Sequence, residues 1–139
     1  MRPIISAVML VLATGQFLAA GPDAGTAGSP SVTLYYFHRT QRCTGCTNAE
    51  ARAFEAAREA FGSEIQKGRL VLKSVAVDGT KEERQLAGEF GAFGPSLFIA
   101  SSKDGKSELI QLEEMWDKIR EGDSAYKAYV VENLQRRLL

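Results

Sequence analysis

Apolar and polar positions along the chain fall into segments with two distinct periods. Val32–His38 alternates loosely and is rich in aromatic and β-branched residues, which predicts a strand. From Thr47 to Phe61, Ala49, Ala53, Ala56, Ala57 and Ala60 recur at helical spacing, and Gly62 is expected to end the run. Leu70–Val77 is mostly apolar and suits a strand in the middle of a sheet. Thr80-Lys81-Glu82-Glu83 has the form of a capping box that opens a short helix through Phe90. Ser96–Ala100 and Glu108–Leu112 read as two strands, and Asp104-Gly105 between them is a hairpin signal. A final helix is expected from about Ser124, with Tyr126, Val130, Leu134 and Leu138 along one face.

The N-terminus has a different character. Arg2 precedes an apolar stretch from Ile4 to Ala20, which ends in small residues before Gly21-Pro22. This reads as a secretory signal peptide over residues 1–20, cleaved after Ala20. An uncleaved membrane anchor facing outside the cytoplasm is the alternative. Residues 21–31, rich in glycine, serine and proline, read as a flexible linker. The folded domain is then 32–139. Its location is expected to be periplasmic or secreted, where disulfides persist.

Composition narrows the field. With 17 basic and 17 acidic side chains, the chain has no net charge and no basic stripe, which argues against nucleic-acid binding. An apolar content of 45% is that of one ordinary globular domain.

The chemistry gathers at Cys43-Thr44-Gly45-Cys46, which holds both cysteines of the chain and lies between the first strand and the first helix. A C-x-x-C at such a junction is the arrangement of a thioredoxin-type dithiol. Free backbone N–H groups and partial positive charge at a helix N-terminus favour a thiolate. Cys43 is therefore the expected attacking sulfur, with Arg42 beside it and Arg39 nearby. Cys46, one turn into the helix, is the expected resolving sulfur. The element order β-α-β-α-β-β-α predicts an α/β thioredoxin fold. It would have a four-stranded mixed sheet with helices on both faces, a right-handed parallel crossover first and an antiparallel hairpin last.

Other residues carry paired readings. His38 ends the strand that delivers the dithiol; it could move protons near neutrality, or simply cap the strand. Pro95, after Phe93-Gly94, stands where thioredoxin-like proteins place a cis-proline facing the dithiol. Gly94–Pro95 is accordingly expected to be cis, with Gly94 leaving room for a partner's backbone. Trp116 is expected to pack under the last helix rather than reach the active-site surface. The two cysteines could instead form a static staple, although so short a loop contributes little chain entropy. With His38 they could carry Cu(I) as a metal-binding chaperone, whereas a structural zinc site lacks ligands.

Tyr35-Tyr36-Phe37-His38-Arg39-Thr40-Gln41-Arg42-Cys43-Thr44-Gly45-Cys46 resembles the thioredoxin-like nitrophenyl compound nitroreductase subunit ArsF family. The match lies at Tyr36, Phe37, His38, Thr40, Arg42, Cys43 and Cys46, with a weaker similarity through Trp116-Asp117 and Tyr126 to Leu134. The resemblance implies a thioredoxin fold and an extracytoplasmic thiol-redox role serving a reductase complex. Nothing in the chain looks like a flavin site, so the nitro-aromatic substrate is not carried over. Thr44-Gly45 departs from the Gly-Pro of thioredoxin itself. The first strand also lacks thioredoxin's buried acid, leaving His38 or Glu50 to accept the proton of Cys46. The expected protein is a monomer that passes electrons to or from a protein thiol or disulfide partner, such as a membrane electron-transfer protein or a reductase complex. No cofactor and no metal are expected. The competing classes are the copper chaperone and a non-catalytic thioredoxin-like scaffold.

Overall fold

The computed structural model describes residues 31–139. The expected signal peptide and all but the last residue of the expected linker lie outside them. That last residue, Ser31, opens the first strand.

The elements are β1 (Ser31–His38), α1 (Thr44–Gln66), β2 (Leu70–Ala76), α2 (Lys81–Phe90), β3 (Ser96–Lys103), β4 (Lys106–Gln111), α3 (Met115–Glu121) and α4 (Asp123–Leu138). They form one four-stranded sheet in the order β2-β1-β3-β4. β1 runs parallel to β2 and antiparallel to β3, and β3–β4 is an antiparallel hairpin. This is the thioredoxin arrangement.

The loose alternation of β1 has a simple cause: both of its faces are covered. Val32, Leu34 and Tyr36 pack with Leu97 and Ile99 of β3 against Ala49, Ala53, Ala56 and Ala57 of α1 and Tyr126, Val130 and Leu134 of α4. The small alanines let α1 lie close to the sheet and to α4 at once. On the opposite face Phe37 and Phe98 join Val75, Ala87 and Ala92, with Tyr35 and Phe90 alongside. Tyr35 and Phe37 stack with centroids 5.9 Å apart, while Phe37 and Phe98, 5.5 Å apart, and Tyr35 and Phe90, 4.8 Å apart, meet edge-on.

Several expectations are corrected. β2 is an edge strand rather than a central one, and Val71, Lys73 and Ser74 are exposed along it. Gly62 does not stop α1. The helix bends at Phe61 (φ −131°, ψ 31°) and continues, because Phe61 and Ile65 still have the core to pack on. It ends at Gln66, and just beyond it the left-handed φ of 73° at Gly68 lets the Arg69 N–H return to the Glu64 carbonyl at 2.9 Å. Ala60 falls on the exposed side of α1. The short α3 is an element beyond the expected order; no side chain caps its start, so the usual sequence signal is missing.

The strongest local signals are reproduced. Glu83 N–H donates to Thr80 Oγ1 at 3.2 Å, and Thr80 N–H donates to Glu83 Oε2 at 2.9 Å. Asp104 and Gly105 both take positive φ, 52° and 74°, as a two-residue hairpin turn demands. Tyr126, Val130, Leu134 and Leu138 form the buried face of α4.

Candidate functional site: a dithiol at the start of a helix

β1 and β3 bring two loops to the same end of the sheet. β1 leaves it at His38 and leads into Cys43. β3 enters it at Ser96, which is paired with Phe37. The Gly94–Pro95 segment therefore lies at the end of the sheet that carries the cysteines.

Cys43 is the N-cap of α1, in extended conformation (φ −84°, ψ 157°). Its sulfur accepts the N–H of Cys46 at 3.1 Å, and its carbonyl accepts the N–H of Thr47 at 3.1 Å. No acidic residue stands in the first turn of α1 to oppose negative charge there. The two sulfurs are bonded, with Cα atoms 5.2 Å apart, inside the range disulfides occupy. Cys43 is exposed, whereas Cys46 is buried, at 9% exposure.

Arg42 does not stand over the Cys43 sulfur as its position in the sequence suggested. Its guanidinium folds back to pair with Glu50, one turn beyond Cys46 on α1, and lies 5.9 Å from the centroid of the Tyr36 ring. The Arg42 charge is thus engaged by a carboxylate. The helix terminus is left as the main feature favouring a Cys43 thiolate. Tyr36 brings a buried hydroxyl that has no hydrogen-bond partner among the described residues. Burial pushes its phenol up to about 12, with Arg42 opposing and Glu50 adding to the shift.

His38 points elsewhere. Its Nδ1 lies 2.8 Å from the Arg39 carbonyl. Its charge is a minor influence on Glu83, whose carboxyl is held below the usual range mainly by the N–H groups of Thr80 and Ala76. No hydrogen bond joins His38 to either cysteine among the described residues. Of the two proposed proton acceptors, Glu50 is the one that shares a helix face with Cys46. No group of three or more His, Cys, Asp or Glu side chains suited to a metal gathers among the described residues.

The expected cis bond at Gly94–Pro95 is not found; no cis peptide occurs among the described residues. Gly91 makes the turn instead. With φ 68° it caps α2, and the Ala92 N–H returns to the Ala87 carbonyl at 2.8 Å. The Ser96 hydroxyl then donates to the Gly94 carbonyl at 2.9 Å, and Phe93 stands 82% exposed.

Two further features escaped the sequence. Asp78 Oδ1 accepts the Thr40 N–H at 2.7 Å and the Thr40 hydroxyl at 2.8 Å, tying the loop before Cys43 to the loop after β2. The same bonds hold the Asp78 carboxyl below its ordinary range. Gly79 beside it has no room for a side chain: a Cβ there would collide with the Glu83 carboxylate and come within 2.9 Å of Ala76 Cβ. Only the turn-forming run Asp78-Gly79-Thr80 hinted at this junction. Trp116 is the second feature. It does not pack under α4; it is 37% exposed and lines a cavity with Gly45 of the C-x-x-C.

No family model matches the chain, and no curated protein matches it. The resemblance to the nitroreductase subunit family therefore rests on the motif around the cysteines. Among solved structures, a thioredoxin from Fasciola hepatica is similar at a TM-score of 0.45 and 18% identity, over 80% of this chain and 83% of that one. Thioredoxin O2 from Arabidopsis thaliana, in its oxidized state, is similar at 0.41 and 13%, over 69% and 76%.

Proposed function

We propose that this chain is an extracytoplasmic thiol–disulfide exchange protein acting on protein partners. The observation that carries the proposal is the asymmetry of the Cys43–Cys46 pair. The exposed sulfur caps a helix and accepts its N–H, while the other sulfur is buried one turn in. In the reducing direction the Cys43 thiolate attacks one sulfur of a substrate disulfide. A Cys43–substrate bond forms, and the other substrate sulfur leaves as a thiolate. Cys46, once deprotonated, attacks Cys43, closes the intramolecular bond and releases the second substrate thiolate. Two electrons pass to the substrate; one of the two thiolates released can take up the proton lost by Cys46, and the other is protonated from solvent. The oxidising direction is the same sequence reversed, with a substrate dithiol as donor.

Glu50 is the proposed proton acceptor for Cys46, supported by its place on the same helix face. Arg42 and Tyr36 form the wall behind it. The extracytoplasmic setting is supported by the apolar leader Ile4–Ala20 and by the persistence of disulfides outside the cytoplasm. Membership of the nitroreductase subunit family, and service to a reductase complex, are supported by the motif Tyr36-Phe37-His38-x-Thr40-x-Arg42-Cys43-x-x-Cys46.

Equilibration of the purified protein with glutathione of graded redox ratio tests the reading. Reversible two-electron exchange, with a measurable potential, is expected. Stoichiometric Cu(I) binding without exchange would favour the metallochaperone. Thiols that exchange with no small disulfide would favour the scaffold.

A further inference from the structure

Beside the dithiol lies a cavity of about 220 Å³, framed by Gly45 and Ala49 of α1, Trp116 and Ile119 of α3, and Tyr126 of α4. We propose that it receives an apolar side chain of the substrate protein, one to three residues from the cysteine that becomes bonded to Cys43. The inference rests on the exchange reading and adds to it a class of substrate: cysteines flanked by leucine, methionine or phenylalanine.

Position identifies the occupant. Gly45 belongs both to the cavity wall and to the C-x-x-C, and a Cβ built on it would lie 3.9 Å from the Cys43 sulfur. A segment bonded to that sulfur lies close to Gly45, and so close to one wall of the cavity. An extended chain advances about 3.3 Å per residue, so a neighbouring side chain is within reach. Volume points the same way. Small-molecule sites occupy about 300–1,000 Å³, and this cavity is smaller, suited to one side chain.

Chemistry selects an apolar side chain. The Tyr126 hydroxyl is already engaged, donating to the Ala49 carbonyl at 2.9 Å, so the ring is what the cavity offers. Of the cavity's lining, Arg52 and Asp123 are the charged side chains, and they pair with each other at 3.2 Å, so the lining itself carries no net charge. The remaining side chains are Ala49, Trp116 and Ile119, with the exposed Asn48 as the one uncharged polar group of the rim. Met115, buried at 2%, anchors α3 and leaves Trp116 standing half open beside the site. An exposed tryptophan next to a reactive group is the kind of residue on which binding energy concentrates.

The test uses the full reduced chain carrying Cys46→Ser. Its substrates are peptides whose single cysteine is activated as a mixed disulfide with thionitrobenzoate, with leucine or glycine at each of the three positions on either side. Attack by Cys43 releases thionitrobenzoate, whose absorbance gives the rate. At one or more positions leucine should be faster than glycine by about tenfold, and the adduct should shift the emission of the chain's single tryptophan to the blue. Trp116→Ala should bring the leucine-to-glycine ratio towards one. Asn48→Trp, a change at an exposed rim residue that fills the cavity from within, should do the same and serves if Trp116→Ala does not fold. Equal rates for all peptides, a preference for a charged neighbour, or a leucine preference that survives Asn48→Trp would overturn the inference while leaving exchange at Cys43 standing. Failure of every peptide to react would refute the exchange reading, and the cavity's role with it.

Discussion

The backbone N–H of Cys46 stands 3.1 Å from the sulfur of Cys43 and donates to it. A thiolate on Cys43 would accept that bond more strongly than a thiol, and the helix dipole acts in the same sense. Because Arg42 is engaged by Glu50, these backbone groups carry most of the effect. Reduced Cys43 is expected to ionise below the ordinary thiol value of about 8.5 and to be alkylated before Cys46. Mass-spectrometric mapping of alkylation across pH will show it. Preferential labelling of the buried Cys46 would refute the assignment of roles.

Cys46→Ser should accumulate a mixed disulfide with the physiological partner, since the adduct on Cys43 then has no intramolecular exit. Non-reducing gels of cell-envelope extracts should show an adduct that disappears in the double variant also carrying Cys43→Ser. Absence of any Cys43-dependent band would remove protein exchange from the proposal.

Glu50→Gln leaves the Arg42 guanidinium, largely sheltered against Tyr36, without its carboxylate. A loss of about 1–3 kcal/mol is expected, as for a partly buried charge deprived of its partner. Urea unfolding measures it. The same variant should slow release from the mixed disulfide more than its formation, because only release requires Cys46 to lose its proton. An equal effect on both steps would make Glu50 a structural residue only.

Tyr36 and Tyr126 should respond oppositely to the loss of a hydroxyl. Tyr126→Phe removes a bond to the Ala49 carbonyl of 2.9 Å and should cost about 0.5–1.5 kcal/mol. Tyr36→Phe removes a buried hydroxyl without a partner among the described residues and should be neutral or stabilising by up to about 1 kcal/mol. A clear destabilisation by Tyr36→Phe would mean that its hydroxyl is bonded in solution.

Asp78 and Glu83 both have carboxyls held below their ordinary range by hydrogen bonds that exist only in the folded chain. The unfolded chain therefore takes up protons first as pH falls. The stability these groups contribute is complete above the unfolded carboxyl values of about 4 and is lost as pH drops through the lower folded values. Asp78→Asn and Glu83→Gln should each flatten the fall in urea midpoint between neutral and acid pH. Asp78→Asn should also speed amide exchange at Thr40. An unchanged acid slope in both variants would show that these carboxylates are not held in solution as described.

What the sequence determined by itself was local. The capping box of Thr80 and Glu83, the Asp104-Gly105 turn, the buried face of α4 and the placing of Cys43 at a helix start are each written within a few consecutive residues. Neighbouring backbone geometry decides them, so spacing alone reveals them. The tertiary structure decided everything that depends on which elements meet. It put the apolar β2 at the sheet's edge and turned Arg42 from the adjacent cysteine to Glu50. It joined Thr40 to Asp78 across 38 positions and let Gly91 make the turn assigned to a cis Pro95. Through α3, a helix without a capping signal, it brought Trp116 to Gly45. Such pairings are set by the packing of α1, α3 and α4 on one face of the sheet and α2 on the other, and packing joins residues that no period in the chain relates.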